Sequence, residues 1–251
     1  MKIAIITGAS SGLGREYFRQ LNAADYDEIW LVARREEKLN ATAALRSDVK
    51  ARVTPLDITK DGAAKMLADM VGEQGAEVGM LINNAGYGLL GYVYELSSQA
   101  QAGIVRLNNE ALVALTAELL CHMKKGAKII NICSIASFTP NIRMSVYSAS
   151  KAFVMSFSRS LREELKPEKI NVLAVCPGPM DTEFLPCAGI GAGDSKTFET
   201  LPYCDPAKVV KGSLKASGRN KPVYTPRALY KLYRVLGKLT PKCIMMKFAK
   251  T

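Results

Sequence analysis

The sequence predicts an α/β fold, a doubly wound parallel sheet with helices on both faces. Short β-branched runs alternate with longer segments of helical period along most of the chain, which is the pattern of βαβ units. A glycine-rich stretch, TGASSGLG (7–14), sits at the junction of the first run and the first helix. The length of 251 residues suits one domain of this class, since such domains run to about 200–250 residues. No repeat, low-complexity segment or linker marks a second domain, so residues 1–251 are read as one unit.

The strand candidates, in order, are KIAIIT (2–7), EIWLVA (28–33), ARVTPL (51–56), GMLIN (79–83), AKIINIC (127–133), INVLAVC (170–176) and a short PVYT (222–225). Amphipathic stretches lie between most of them, at 36–46, 59–73, 98–125, 145–166 and 206–217. The region 186–206, with Gly189, Gly191 and Gly193, reads as an irregular loop. Residues 184–204 are placed as a lid over a substrate pocket, made apolar by Phe184, Leu185, Ile190, Phe198 and Leu201. Residues 226–250 form a basic helical extension. At about 100° per residue, Leu229, Leu232, Tyr233, Leu236 and Leu239 gather on one side of it. Lys231, Arg234 and Lys238 gather opposite, and Pro241 keeps the helix short. Two readings stay open. The apolar stripe docks on the protein and caps the pocket mouth, or it lies at a membrane surface with its cations on anionic lipid.

Composition narrows the function classes. The chain is 48% hydrophobic and 23% charged, ordinary for a soluble globular protein. Six cysteines without a C-x-x-C pair argue against a zinc site or disulfide framework and suit a reducing cytoplasm. His122 is the single histidine, so a histidine triad or multi-histidine metal site is not expected, and no metal is. The opening MKIAIITG runs straight into a strand without a signal-peptide pattern, and no apolar run reaches the ~18 residues of a membrane span. The expected location is cytoplasmic, with peripheral membrane contact through the extension. The net charge of +11 belongs to the end of the chain. Asp205 is the last acidic residue, twelve Lys or Arg follow it, and residues 1–205 sum to −1. Those cations carry no DNA- or RNA-reading motif, so nucleic acid is not an expected partner.

Three stretches carry chemistry. In TGASSGLG, Gly8, Gly12 and Gly14 permit a tight turn, and the backbone of Ser10, Ser11 and Leu13 can approach a pyrophosphate at a helix N-terminus. The second strand ends in Ala33, Arg34 and Arg35, where NAD-binding folds commonly place an acid on the ribose 2′-hydroxyl. Guanidinium groups there would pair with a 2′-phosphate, which favours NADP(H) over NAD(H). The plainer reading is a solvated helix start, with Glu36 and Glu37 offsetting the arginines. VYSASKAFV (146–154) puts Tyr147 and Lys151 four residues apart, on one helix face and about 5–6 Å apart at Cβ. A phenol titrates near pH ~10, and a nearby cation lowers that value. Tuned acid/base and ordinary surface lysine are both compatible with the pair alone.

Taken together, TGASSGLG, NNAG (83–86), Ser134, YSASK (147–151) and PGPMDTEF (177–184) resemble the short-chain dehydrogenase/reductase family, in its group with a TGxxxGxG opening. The resemblance runs from residue 2 to about 184 and implies a Rossmann-like sheet. It implies that Tyr147 is the proton donor, Lys151 its tuning cation and a ribose ligand, and Ser134 the holder of the substrate oxygen. Asn108 matches the helix asparagine that helps hold a relay water, with Asn109 as the adjacent alternative. On the cofactor side the resemblance implies Asp57 and Ile58 near the adenine, and NNAG on the adenosine side with Asn83, Ala85 and Gly86. Pro177, Gly178 and Thr182 would lie beside the nicotinamide. Asp57 can equally cap the helix expected at 59–73. The implied activity interconverts a lipophilic ketone or aldehyde and its alcohol. The alternative is a non-catalytic NADP(H)-binding sensor or scaffold, which in this family usually lacks the Tyr or the Lys. The family commonly pairs the helices at 98–125 and 145–166, so a homodimer or tetramer is expected, with ALVAL and FVMSF as the apolar stretches.

Overall fold

The computed structural model describes residues 1–191, 193 and 195–248. Among these, seven strands form one parallel sheet: β1 (Lys2–Thr7), β2 (Glu28–Ala33), β3 (Lys50–Pro55), β4 (Glu77–Asn83), β5 (Lys128–Ile132), β6 (Asn171–Val175) and β7 (Val223–Tyr224). Their order is β3-β2-β1-β4-β5-β6-β7. The chain winds outward from β1 to β3, then returns to the other side of β1 with β4, pairing Ile5 with Leu81. Both halves therefore diverge at β1 and β4, the point where doubly wound sheets bind ligands beyond their strand ends.

Strand side chains alternate between the two faces of the sheet. Ala4, Ile6, Ile29, Leu31, Ile82 and Ile130 join one core with α1 (Gly12–Gln20) and α2 (Glu36–Ala43). That core also takes in α9 (Pro206–Gly218) through Val209 and Val210. Ile3, Ile5, Trp30, Val32 and Leu81 join the other with α3 (Ala63–Glu73) and α5 (Ala111–Leu119). Covering on both faces explains why these strands read as nearly unbroken apolar runs.

Several elements differ from the sequence expectation. The stretch at 98–125 is not one helix. It runs as α4 (Ser98–Val105), a π-helical segment (Arg106–Glu110), α5 and a short 3₁₀ turn (Leu120–His122). The wide π turn falls at Asn108 and Asn109, whose amides reach out of the helix for Tyr87 and Ser150. The stretch at 59–73 begins its helix only at Ala63, because Gly62 is left-handed. Asp57 therefore caps a turn, its Oδ1 accepting from Thr59 N (3.1 Å) and Thr59 Oγ1 (2.6 Å), and not the helix. The region read as a loop contains two short helices, α7 (Phe184–Cys187) and α8 (Lys196–Thr200). Residues 192 and 194 of the expected lid lie outside the described residues. ALVAL turns inward, with Ala111, Leu112 and Leu115 buried, while Phe153 of FVMSF in α6 (Ser145–Glu164) is exposed.

The extension forms α10 (Ala228–Leu239) and α11 (Lys242–Phe248); residues 249 and 250 of it lie outside the described residues. It docks by the face opposite to the leucine stripe. Tyr230, at 1% exposure, donates to Pro202 O (2.6 Å), and the ring of Tyr233 packs on that of Phe138 with centroids 6.1 Å apart. Leu229, Leu232, Leu236 and Leu239, together with Val235, remain in solvent, Leu239 at 78%. Of the expected stripe only Tyr233 faces the protein, because two large aromatics and Gly237 define the contact side. Tyr230→Ala should therefore cost about 3–5 kcal/mol of stability, like other large aromatic truncations in a core. Leu232→Ala should stay within about 0.5 kcal/mol. Urea unfolding of the two variants checks this, and the reverse ranking would mean that the leucines are the docked side.

Candidate active site

The site opens at the C-terminal ends of β1 and β4 and continues past the ends of β5 and β6. The turn after β1 is held tightly. A Cβ on Gly14 would run into the carbonyl oxygen of Gly8, so the start of α1 can press onto the turn only through glycine. Asn84 fastens the turn to the end of β4, its Nδ2 donating to Thr7 O (2.9 Å) and Gly8 O (3.2 Å). Thr7 Oγ1 in turn accepts from Asn84 N (3.0 Å) and Ala85 N (3.1 Å).

A cavity of about 760 Å³ runs from this turn across the sheet end. One end is lined by Ser10, Ser11, Gly12, Arg34, Arg35 and Asp57. Ile58, Ala85 and Gly86 form the middle. Ser134, Tyr147, Lys151, Pro177, Gly178 and Thr182 form the far end. Gly8 and Leu13 also line it, while Gly14 and Asn108 do not. The structure thus brings together residues from well-separated parts of the chain, nearly all those expected from the sequence.

Asn83, like Gly14 and Asn108, does not line the cavity. It is buried, and its Nδ2 donates to Thr116 Oγ1 (3.0 Å) and Asn131 Oδ1 (2.9 Å), away from the cavity. The neighbouring Asn84 lines it instead. Strand alternation explains the switch: β4 ends at Asn83, whose side chain faces α5, and the next residue turns toward the opening.

At the far end, Ser134 caps a short 3₁₀ turn, its Oγ accepting from Ala136 N (3.1 Å). Tyr147 sits under the ring of Phe184, centroids 5.5 Å apart. Burial pushes its phenol up to about 12, with a hydrogen bond from Ser134 acting in the opposite direction. Lys151 lies one helical turn on and donates to Ile132 O (2.8 Å). Burial lowers its ammonium, opposed by the nearby Cys133 and Cys176. The lysine nitrogen is 5.8 Å from the centre of the Tyr147 ring. The net shift of the phenol is upward, since its desolvation outweighs the lowering contribution.

Asn108 stands behind these residues. Its Oδ1 accepts from Tyr87 N (3.0 Å), and its Nδ2 donates to Tyr87 O (2.9 Å) and Ser150 Oγ (3.0 Å). Asn109 instead donates to Ser150 O (2.9 Å). The Asn108 oxygen and the Lys151 nitrogen approach the same side of Gly86. Of the two asparagines, Asn108 is therefore the one that reaches Gly86, which lines the cavity.

At the other end, Arg35 Nη2 donates to Ser10 Oγ (3.2 Å) and pairs with Glu183 Oε2 (2.8 Å). Lys38 Nζ pairs with Glu183 Oε1 (2.5 Å). Hydrogen bonds from Lys38 and Arg35 hold the Glu183 carboxyl down at about 2. Glu183 lies within PGPMDTEF without a role assigned to it, and Lys38 had no sequence signal. The expected roof is present in part: Phe184, Leu185, Phe198 and Leu201 line the cavity, while Ile190 is buried beside it. Tyr230 was missed because the leucine stripe drew attention to the other side of α10. Its ring lies against Gly178, where a Cβ would collide with it.

A profile of the short chain dehydrogenase family matches residues 2–188. The chain belongs to the short-chain dehydrogenase family. A very-long-chain 3-oxoacyl-CoA reductase from Laccaria bicolor is 33% identical over 178 residues, 67% of this chain and 52% of the relative. The chain thus spans about half the length of that curated relative. The structure of a short-chain dehydrogenase from Sphingobium yanoikuyae in complex with NADPH superposes with a TM-score of 0.82 at 28% identity, covering 98% of this chain and 95% of that one. A bulky-bulky ketone specific alcohol dehydrogenase from Comamonas testosteroni gives 0.78 at 28% identity, covering 98% and 94%. Among the described residues of this short-chain dehydrogenase, no group of three or more His, Cys, Asp or Glu could hold a metal ion. The cavity fits a dinucleotide, with the glycine-cradled turn and the cations at one end and the Tyr147–Lys151 pair at the other.

The buried phenol has a consequence for stability. Tyr147 titrates higher in the folded chain, about 12 against an ordinary 10.0, so the folded state holds its proton more tightly. Its contribution is complete below the unfolded value and is lost as pH climbs from about 10 toward about 12. Tyr147→Phe should therefore lose less stability than the wild type over that climb, measured by urea midpoints at both ends. Parallel losses would show that the phenol is not held protonated by burial.

Proposed function

We propose that this chain is an NADP(H)-dependent oxidoreductase interconverting a lipophilic ketone or aldehyde and the corresponding alcohol. The observation that carries the proposal is one cavity joining Arg34 and Arg35 to Ser134, Tyr147 and Lys151 through the glycine turn. Similarity to an NADPH-bound short-chain dehydrogenase supports the cofactor. The apolar roof, with the likeness to a bulky-ketone alcohol dehydrogenase and a very-long-chain 3-oxoacyl-CoA reductase, supports a lipophilic substrate.

The nicotinamide, when bound, supplies or accepts the hydride. The chain supplies the proton and the positions. Tyr147 gives its phenolic proton to the carbonyl oxygen in reduction and takes it back in oxidation. Ser134, whose hydroxyl lies beside the phenol, turns its one proton to the same oxygen when the carbonyl is present. Lys151 has three N–H donors, of which Ile132 takes one. The ammonium thereby stays aimed between the ribose site and the phenol. Asn108 fixes the backbone of Tyr87 and, with Lys151, frames the Gly86 side on which a relay water would sit. Arg34 and Arg35 would hold the 2′-phosphate and Thr182 the carboxamide, with Phe184, Leu185, Phe198 and Leu201 over the substrate. Tyr147→Phe should lower turnover by about 10²–10⁴-fold, the usual worth of a positioned acid/base, with NADPH affinity nearly unchanged. NADPH oxidation over a panel of carbonyls, with binding followed by fluorescence, tests both. Near-normal turnover of the variant would remove Tyr147 from the chemistry. NADPH binding by the wild type without turnover of any carbonyl would favour the sensor reading.

The exposed face of α10 adds a location to this reading. Leu232, Val235, Leu236 and Leu239 are exposed, and on the same helix Leu229 and Tyr233 line the cavity. Lys231 and Lys238 of the same helix are exposed, and from position 206 onward the sequence has twelve Lys or Arg and no acidic residue. Among the described residues no helix is long and apolar enough to cross a membrane, so the contact proposed is peripheral, on an anionic bilayer surface. A homodimer or tetramer through the outer flank of α4 and α6, where Val105 and Phe153 are exposed, completes the proposal. Sedimentation with anionic vesicles should carry the protein down at low salt, and Leu232→Glu should abolish it. Light scattering without vesicles should give an oligomer in both wild type and variant. An oligomer lost in Leu232→Glu would assign the leucine face to a second copy instead.

A further inference from the structure

We propose that Glu183 is the resident occupant of the 2′-phosphate site, a carboxylate that NADP(H) displaces and NAD(H) leaves in place. The proposal rests on the reading of Arg34 and Arg35 as phosphate ligands, and it assigns to the same site a competitor supplied by the chain itself.

The geometry is that of a filled anion site. The two carboxylate oxygens of Glu183 are divided between two cations, Arg35 Nη2 at 2.8 Å and Lys38 Nζ at 2.5 Å. The same Arg35 nitrogen lies 3.2 Å from Ser10 Oγ and 3.5 Å from Ser11 Oγ. It is thus aimed at the phosphate-binding turn, and Ser10, Ser11, Arg35 and Glu183 all line the cavity, with Lys38 behind them on the carboxylate. A carboxylate and a phosphate seek the same paired, charge-assisted hydrogen bonds from a guanidinium. A phosphate brings close to two negative charges at neutral pH, and two anions on one pair of cations repel. The pairs are about half exposed, which leaves them weak enough to exchange for the stronger anion. NAD(H) presents only a hydroxyl there and has no charge with which to evict the carboxylate.

The position of Glu183 gives the exchange a reach. Thr182 before it packs against Gly12 of the turn, and Phe184 after it lies on the ring of Tyr147. Release of Glu183 therefore untethers the start of the roof from α2 when the phosphorylated cofactor arrives.

The test uses adenosine fragments, which bind without any chemistry. Calorimetry with 2′,5′-ADP and 5′-AMP is run on the full chain and on Glu183→Gln, an exposed, near-isosteric change whose folding circular dichroism verifies. Wild type should prefer 2′,5′-ADP. Glu183→Gln should tighten 2′,5′-ADP by roughly three- to tenfold, the worth of the half-exposed pairs it removes, and leave 5′-AMP unchanged. Lys38→Ala should weaken 2′,5′-ADP. If wild type prefers 2′,5′-ADP but Glu183→Gln binds it equally or more weakly, Glu183 orients Arg35 and the occupancy is overturned alone. If wild type does not distinguish the two fragments, the NADP(H) reading falls and the occupancy with it.

Discussion

The pairing of β1 with β4 is the constraint on which the rest depends. Because β1 is hydrogen-bonded to β2 on one side and β4 on the other, the connections that leave these strands diverge. The gap between them is where the glycine turn and Asn84 can meet. The bonds from Asn84 to Thr7 and Gly8, and from Asn84 and Ala85 back to Thr7, close that gap from below. The backbone there has few remaining degrees of freedom. A floor of this kind lets a large anionic ligand be held by main-chain groups without ordering the loops at the time of binding, which lowers the entropic cost of association.

The chemistry at the far end depends on burying two groups that water would ordinarily solvate. Lys151 is only 5% exposed, and a buried ammonium is tolerated only with partners. Ile132 supplies one through its carbonyl at the end of β5, so the sheet itself orients the lysine. Burial acts on the pair in opposite directions. It raises the phenol and lowers the ammonium, so both drift toward their neutral forms. A site in that condition holds a proton on Tyr147 at neutral pH. The π turn belongs to the same arrangement: without it Asn108 would follow the helical path and not reach the Tyr87 backbone.

Most of this was legible in the sequence, and the parts that were not share a cause. The strands were readable because burial on both sheet faces leaves an unbroken apolar run, as in KIAIIT and EIWLVA. The motif residues were readable because their spacing is local, as with Tyr147 and Lys151 on one helix. What failed depended on which side of an element faces inward. Asn83 and Asn84 are adjacent, and only the end of β4 decides which one reaches the cavity. The leucines of α10 form the better amphipathic stripe, yet Tyr230 and Tyr233 dock, since the surface that receives them is assembled from Phe138, Gly178 and Pro202 far away in sequence. The π turn was hidden for a similar reason. It answers to Tyr87 and Ser150, not to its own neighbours.

The segment Thr182–Glu183–Phe184 joins these parts. Three consecutive side chains touch the glycine turn, the cations of α2 and the ring of Tyr147. Cofactor end and substrate end are therefore linked by a few bonds of main chain, and a displacement at one is transmitted to the other without a long pathway. The burial that holds Tyr147 protonated is supplied partly by Phe184. The opening of this segment and the proton affinity of the phenol are then one variable: lifting Phe184 admits water, and water lowers the phenol toward its ordinary value. With Phe184 in place the phenol is the weaker acid, so the packing of this segment and the proton affinity of Tyr147 are set together.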